Sequence, residues 1–264
     1  MERIAYELSM DPLEVRLNNL DAEHYPDILE MINTIKINSN YIKRKESVHK
    51  YNSSNRWKKR GLRFSLMKWK SVTPFQMNII LSVYHGDGSV AITHGGVEIG
   101  QGINTKAIQV CAYFLNIPLN KIKIKASNTT ANANNSHTAA SLTTQYVALG
   151  VQRCCEQLLQ RLAPLRAKMG NPTWEQLIAK AYKLNMNLQA CGDIGRKDIF
   201  EYNVYGVTLA EVEVDILTGE WQLLQVDLIE DVGKSVNPAI DIGQVSLLIY
   251  ILNETILTGL IAYI

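Results

Sequence analysis

The first twenty residues carry apolar side chains at helical spacing, and this pattern predicts two short helices. Ile4 and Leu8 fall on one face of the first segment, and a second apolar set follows from Leu13 onwards. Between them lies Asp11-Pro12, where the Asp11 carboxylate can accept from first-turn amides and Pro12 gives up an amide that would have no partner. The sequence therefore predicts a helix boundary at Asp11.

Alternating apolar and polar positions, rich in β-branched residues, predict two antiparallel hairpins. The strands of the first hairpin are residues 77–84 and 89–94, joined by a turn that contains two glycines. The strands of the second are residues 207–217 and 221–229, again joined through a glycine.

Helical periodicity returns between the two hairpins. The expected elements are a helix over residues 104–115, a short strand over 121–125, a polar loop over 127–136 and one long helix over 139–168. Pro164 is expected to bend or end the long helix. A further helix is expected after Thr173, because Thr173 and Gln176 form a capping-box pattern. Together these elements predict an α+β fold of mixed sheets with long packed helices.

The composition is that of an ordinary globular protein and excludes several other classes. Of the 264 residues, 47% are hydrophobic and 20% charged, which excludes a disordered tail, a collagen-like fibre and a disulfide-stapled miniprotein. The 27 Lys and Arg against 25 Asp and Glu leave a net charge of +2, too balanced to indicate nucleic acid or an anionic membrane. The four cysteines show no CxxC pair, and the first residues lack the apolar run of a signal peptide. We therefore expect reduced thiols and a cytoplasmic location.

Two segments leave alternatives open. Residues 43–70 contain eleven Lys or Arg interleaved with aromatic residues, which could form a nucleic-acid patch. A solvated helix followed by a basic connector into a strand is favoured, because acidic residues elsewhere cancel the charge. Residues 245–264 are long and apolar enough for a membrane span, but Glu254 near the centre would be costly there. A buried or divergent tail is favoured over a membrane anchor.

A glycine-rich loop is the sharpest candidate site. Residues 93–102 place four glycines between a predicted strand and a predicted helix, so the backbone can turn tightly and approach a ligand. The first amides of the following helix are expected to point at an anion, which suggests phosphate or pyrophosphate. The spacing matches neither GxGxxG nor a P-loop. A plain strand-to-helix turn is the alternative.

A second run of small and hydroxyl residues, 134–144, lies at the predicted start of the long helix. A cap alone would explain one such residue, whereas the run offers several donors to phosphate oxygens. Two such helix starts suggest a cofactor with a phosphate tail. Residues 230–244 carry acids that could suggest a divalent metal, but a turn through Asn237-Pro238 explains most of that segment.

Several motifs, in order and spacing, resemble the molybdenum-binding portion of the xanthine dehydrogenase and aldehyde oxidase family. They are HGGVEIGQG at 94–102, HTAAS at 137–141, YGVTLAEVE at 205–213, LTG at 217–219 and EDVGKSVNPAIDIGQV at 230–245, with WKKRGL at 57–62 and DGSV at 87–90 extending the match. Residues 38–70 are similar to the insect aldehyde-oxidase-like members. The resemblance divides the chain into N-terminal helices with a basic connector (1–75), a partial molybdopterin-binding region (76–245) and a divergent apolar tail (246–264).

The resemblance implies a molybdenum hydroxylase that binds molybdenum–molybdopterin and acts on an aldehyde or an N-heterocycle. FAD and [2Fe-2S] clusters would lie in other parts of the full-length enzyme, and family members tend to form homodimers. The motifs of the family carry cofactor-binding roles over to three parts of this chain. Gly100, Gln101 and Gly102 would lie against the pterin, its phosphate or the molybdenum oxo group. From the long helix, the metal and phosphate would be lined by Ala139, Ala140, Ser141 and Thr144, and Gln244 would hydrogen-bond the pterin. No residue is expected to ligate a metal directly.

The chain departs from the family pattern at both ends of this match. Family members carry an upstream AFRGFGG-like segment that holds substrate and a downstream GEP glutamate that acts as general base. Here the sequence changes at Ser246 to an unrelated apolar run. We therefore predict no hydroxylase turnover by this chain alone. The alternative is a non-catalytic binding fragment or a membrane-tethered product.

Overall fold

The computed structural model describes residues 1–21, 25–71, 75–235 and 237–255. The helices are α1 (Glu2–Glu7), α2 (Pro12–Asn18), α3 (Pro26–Asn38), α4 (Tyr41–Ser54), α5 (Ile103–Leu115), α6 (Thr143–Met169), α7 (Trp174–Lys183) and α8 (Pro238–Thr255). The strands are β1 (Lys58–Lys70), β2 (Met77–Val83), β3 (Val90–His94), β4 (Ile122–Ile124), β5 (Gln189–Ile194), β6 (Asn203–Asp215) and β7 (Trp221–Asp231). This content confirms the α+β class, with mixed sheets and one helix of 27 residues.

The chain folds into two compact units. Unit 1 comprises residues 1–70 and 202–264, and unit 2 comprises residues 71–201. This division by packing differs from the family-based division at residues 75 and 245, because the β6–β7 hairpin pairs with β1 and so joins the N-terminal segment.

Unit 1 is a three-stranded antiparallel sheet in the order β1-β6-β7, with α3 and α4 packed against it. Strands β1 and β6 pair along their full length, with Phe64 opposite Leu209. Burial of apolar side chains between helices and sheet supplies the stability of this unit. Its core includes Ile32, Ile35, Tyr41, Leu62, Phe64, Val207 and Leu209.

Local sequence rules explain several element boundaries. The Asp11 carboxylate accepts from the amide of Leu13 at 2.7 Å, and α2 begins at Pro12, as predicted. The capping box at Thr173 and Gln176 is also confirmed at the start of α7. Both predicted hairpins form, as β2–β3 and β6–β7.

The basic stretch 43–70 forms most of α4 and the strand β1, in agreement with the favoured interpretation. Several of its cations have acidic partners within unit 1. Arg44 contacts Glu211 at 3.0 Å and Asp227 at 2.6 Å, and Arg60 contacts Glu213 at 2.9 Å. These side chains are mostly shielded from solvent, so the pairs link α4 and β1 to the β6–β7 hairpin.

Unit 2 is a mixed four-stranded sheet in the order β4-β3-β2-β5, with α5 and α6 packed together and α6 against the sheet. Strands β3 and β4 are parallel, and the other neighbours are antiparallel. Helix α6 approaches the sheet closely at two glycines. A Cβ at Gly150 would lie 2.2 Å from Ile79 Cδ1, and a Cβ at Gly192 would lie 2.7 Å from the carbonyl oxygen of Gly150.

The long helix begins later than the periodicity predicted. It starts at Thr143 instead of residue 139, and it continues through Pro164 to Met169. The physical reason is the backbone at Ala140 and Ser141, whose φ angles of 53° and 57° are left-handed and incompatible with a right-handed helix. Small residues fit a helical pattern equally well, so periodicity alone could not locate this boundary.

The apolar C-terminal segment is described only as far as residue 255. Residues 238–255 form α8, and residues 256–264 of the proposed tail lie outside the described residues. Within the described part of the chain, no helix combines the length and hydropathy needed to cross a membrane.

We predict that Gly192→Ala destabilises unit 2 by roughly 1–3 kcal/mol, because the new methyl group would meet the Gly150 carbonyl oxygen and the Cys154 sulfur. Gly86→Ala is the matched control in the same unit, since a Cβ there would have nothing within 4 Å. Its free energy of unfolding is expected to change by less than about 0.5 kcal/mol. Urea unfolding followed by circular dichroism measures both, and equal effects would show that α6 does not rest on β5 as described.

Candidate cofactor-binding site

The glycine loop between β3 and α5 contains two kinds of glycine. Gly95 and Gly96 are needed for packing: a Cβ at Gly95 would lie 2.1 Å from Asn135 Cγ, and one at Gly96 would lie 2.7 Å from Ile103 Cδ1. Gly100 and Gly102 have φ angles of 102° and 73°, and a Cβ at either would have nothing within 4 Å. The second pair therefore combines a backbone shape that favours glycine with open space for a ligand.

The structure brings the glycine loop and the 134–144 segment together within unit 2. The amide of Val97 donates to Thr138 Oγ1 at 2.8 Å. A Cβ at Gly95 would lie 2.1 Å from Asn135 Cγ, so the two segments also pack against each other at that point. Two segments separated by about forty residues are thus in direct contact.

The start of α6 is strained and incompletely hydrogen-bonded. Ala140 and Ser141 adopt left-handed φ angles although neither is glycine, which is uncommon and clusters at ligand-binding sites. These two residues are exposed, Ala139 and Thr144 are half-buried, and all except Thr144 precede the helix. The expectation that residues 139–141 lie in the long helix is corrected accordingly: they lie in the turn before it.

Thr143 is a residue that the sequence interpretation missed. It is 3% exposed, yet its hydroxyl oxygen has no hydrogen-bond partner among the described residues. Its methyl group lies against the Gly96 position, where a Cβ would be 3.1 Å away, so the side chain stands beside the glycine loop. The run Ser141-Leu142-Thr143-Thr144 contained the clue, because three hydroxyls in one helical turn exceed the needs of a cap.

The amides at the start of α5 already have an anion. Glu98 Oε1 accepts from the amides of Gly102 at 2.8 Å and Gly100 at 3.2 Å, and Glu98 Oε2 accepts from the amide of Asn104 at 3.2 Å. Desolvation raises the pKa of Glu98, but these amides outweigh it and lower the pKa below its usual value. The expectation that these amides point at an external anion is therefore corrected.

The Gln101 side chain is held by its own loop. Its Oε1 accepts from the amide of Ile99 at 2.8 Å, and its Nε2 donates to the carbonyl oxygen of Val97 at 2.9 Å. Lys106 donates to the Gln101 carbonyl oxygen at 3.0 Å. The loop therefore fixes the Gln101 amide beside the open space at Gly100 and Gly102.

Gln244 belongs to unit 1, where it is exposed on α8. The segment before it forms the expected turn: Asn237 Oδ1 accepts from the amide of Ala239 at 3.1 Å, and the Ser235 hydroxyl donates to Asp241. In the described ranges, no three His, Cys, Asp or Glu side chains are grouped so as to hold a metal ion. The role of Gln244 stays a prediction.

Unit 2 is thus a mixed sheet with α5 and α6 packed against one another, and the loops that precede these two helices are in contact. Residues 34–246 match the molybdopterin cofactor-binding domain family, so the chain belongs to that family. The family resemblance drawn from the motifs is thereby confirmed.

Curated relatives agree with this assignment. Over 93% of this chain, the sequence is 38% identical to the xanthine dehydrogenase/oxidase of Gallus gallus, and over 93% of this chain it is 36% identical to xanthine dehydrogenase 1 of Arabidopsis thaliana. It is 39% identical to the xanthine dehydrogenase of Drosophila subobscura over 86%. The chain spans 18–20% of the length of these relatives.

Solved structures show the same fold at low identity. A reconstituted CO dehydrogenase from Oligotropha carboxidovorans matches with a TM-score of 0.70 and 18% identity, over 92% of this chain and 37% of that chain. Quinoline 2-oxidoreductase from Pseudomonas putida 86 matches with a TM-score of 0.68 and 20% identity over the same shares. The family's cofactor is molybdenum–molybdopterin, and FAD and iron–sulfur clusters belong to the full-length family.

The residues of unit 2 fit a phosphorylated pterin. In the part of the chain that the structure describes, the buried Thr143 hydroxyl has no hydrogen-bond partner and the space beside Gly100 and Gly102 is open. A buried hydroxyl without a partner is costly, so a ligand that bonds to it gains affinity. The exposed left-handed turn at Ala140 and Ser141 adds backbone donors that are not committed to the helix.

His94 generates a pH-dependent prediction for this site. It is fully buried, its Nε2 lies 3.1 Å from Asn104 Oδ1, and burial lowers its pKa despite that contact and the charge of Glu98. As the pH falls, His94 is protonated in the unfolded state before it is protonated in the folded state. The contribution of His94 to the free energy of unfolding is therefore fully present above the ordinary pKa of 6.5 and is lost as the pH falls towards the lower pKa of the folded state. Below pH 6.5 we expect the free energy of unfolding to fall by at most about 1.4 kcal/mol per pH unit, the value for uptake of one proton on unfolding.

His94→Gln should remove this slope, whereas His49→Gln, an exposed position on α4, should retain it. Urea unfolding at half-unit steps between pH 7.5 and 5 measures the difference. An unchanged slope in His94→Gln would show that His94 does not fold as the neutral form.

Proposed function

We propose that this chain supplies part of the molybdopterin site of an oxidoreductase that hydroxylates aldehydes or N-heterocycles. The observation that carries the proposal is the buried Thr143 hydroxyl, which no described residue hydrogen-bonds, beside a left-handed turn and an open glycine loop. When bound, the cofactor supplies the redox chemistry, and the protein binds and orients it.

Each segment has a distinct part in binding. Ser141, Thr143 and Thr144 offer hydroxyls, and the turn at Ala139 and Ala140 offers amides, to the phosphate of the cofactor. Gly100 and Gly102 admit the pterin close to the backbone, with the Gln101 amide held at its edge.

The chain alone is proposed to lack hydroxylase turnover. Of the titratable side chains described next to the glycine loop, Glu98 is engaged by three backbone amides and His94 is buried against Asn104. We therefore propose neither side chain as the general base of a hydroxylase, because both carboxylate oxygens of Glu98 are already engaged by amides and His94 is fully buried.

We also propose the cellular location, the oligomeric state and the partners of the protein. We place the protein in the cytoplasm, where its four free thiols stay reduced, and expect a homodimer acting on a small molecule without a membrane. No nucleic acid is expected to bind, because Arg44 and Arg60 are paired with acids of the β6–β7 hairpin.

Thr143→Val tests the proposal, because it preserves the shape of the side chain and removes its hydroxyl. We expect several-fold less molybdenum and released oxidised pterin in the purified variant than in the wild type, measured by elemental analysis and fluorescence. Made in a host without molybdopterin, the same variant should be more stable by about 0.5–2 kcal/mol, since the buried hydroxyl is gone.

Thr208→Val is the control, because it makes the same change on β6 of unit 1, more than sixty residues along the sequence from either loop. It should retain pterin at the wild-type level. A folded wild-type chain that releases no pterin and contains no molybdenum would refute the proposed function.

A further inference from the structure

We infer that Glu98 is a positioning residue, a built-in anion that occupies the start of α5 and so directs the cofactor phosphate to the start of α6. The second half of this inference rests on the proposed function. The first half concerns this chain's own carboxylate and stands without any cofactor.

The geometry around Glu98 is that of an anion site filled from within. Both carboxylate oxygens are used, and three amides, from Gly100, Gly102 and Asn104, converge on them at 2.8–3.2 Å. The positive φ angles of Gly100 and Gly102 let the loop turn tightly enough for these alternate amides to face one carboxylate.

Hydrogen bonds made by two of its own side chains, Glu98 and Gln101, hold the backbone of the glycine loop. Glu98 holds the amides of Gly100 and Gly102, while the Gln101 side chain, between those glycines, bonds to Val97 and Ile99. Loss of the carboxylate would free both glycines, which have wide conformational freedom, and the Gln101 amide would lose its fixed position.

The two helix starts therefore differ in charge. At α5, an external phosphate would meet a carboxylate and amides that are already bonded. At α6, no side chain caps the first turn and no acidic residue lies in it, while the Thr143 hydroxyl has no partner among the described residues. A negative ligand is attracted to an uncapped helix start and repelled by a like charge.

The test replaces the built-in anion by one from solution. In chloride buffer, Glu98→Ala should lower the Tm by roughly 2–8 °C, because the amides lose their acceptor. Addition of about 0.3 M sodium formate, at constant ionic strength, should restore at least half of that loss by mass action. Formate should leave the wild type and Glu156→Ala unshifted, since Glu156 lies on the exposed surface of α6 and accepts a side-chain hydrogen bond from Gln152, with no backbone amide bonded to it among the described residues.

A folded Glu98→Ala chain without a formate-dependent shift, or equal shifts in all three proteins, would overturn the inference. If Glu98→Ala does not fold, Glu98→Gln keeps the shape and loses the charge. That variant should have a lower Tm at pH 7 but should lose less stability than the wild type between pH 5 and 3, and a Tm and acid profile equal to the wild type would overturn the inference.

Cofactor retention separates this inference from the proposed function. Glu98→Ala should release less pterin than the wild type, with recovery in formate, whereas Thr143→Val should show no recovery in formate. Formate rescue of Tm in a protein that never contains pterin would support the role of Glu98 at α5 and refute the cofactor assignment alone. Loss of pterin in both variants without any formate effect would refute the role of Glu98 alone.

Discussion

The close approach of α6 to the sheet of unit 2 is the constraint on which the candidate site depends. A Cβ at Gly192 would lie 2.7 Å from the Gly150 carbonyl oxygen, so the helix rests directly on the backbone of β5. With the helix fixed there, its first residue is fixed as well, and Thr143 stands against the Gly96 position. The loops therefore take their places from the packing of two long elements, and the left-handed turn at Ala140 and Ser141 is the strain that this placement requires.

The same packing explains why two similar helix starts have different chemistry. Each begins after a loop of small residues, and the Val97–Thr138 hydrogen bond joins the two loops. At α5 the chain supplies the counter-charge itself, through Glu98. At α6 the buried Thr143 hydroxyl has no hydrogen-bond partner among the described residues, and this is the group that we propose a ligand meets.

Local rules predicted much of the fold, whereas the details of the site depend on tertiary contacts. The Asp11 cap, the Thr173 capping box and both hairpins are confirmed, because each rests on neighbouring residues and a periodic pattern. The start of α6 and the acceptor at α5 could not be found in this way. The first depends on how α6 lies on the sheet, and the second on which way one exposed glutamate turns. The union of β1 with the β6–β7 hairpin requires pairing across more than 130 residues, and sequence patterns do not reveal such a partner.

A charged or amide-rich segment indicates an anion-binding site only when its partners in the folded chain are known. The basic stretch of α4 and β1 looks like an anion-binding surface in the sequence, yet Arg44 and Arg60 find Glu211, Asp227 and Glu213 on the hairpin. The start of α5 looks equally open until Glu98 is placed. An unpaired buried polar group costs stability unless a ligand meets it, so its position relative to the candidate loops matters. The Thr143 hydroxyl is such a group beside the glycine loop, whereas Arg44 and Arg60 form ion pairs that link the elements of unit 1.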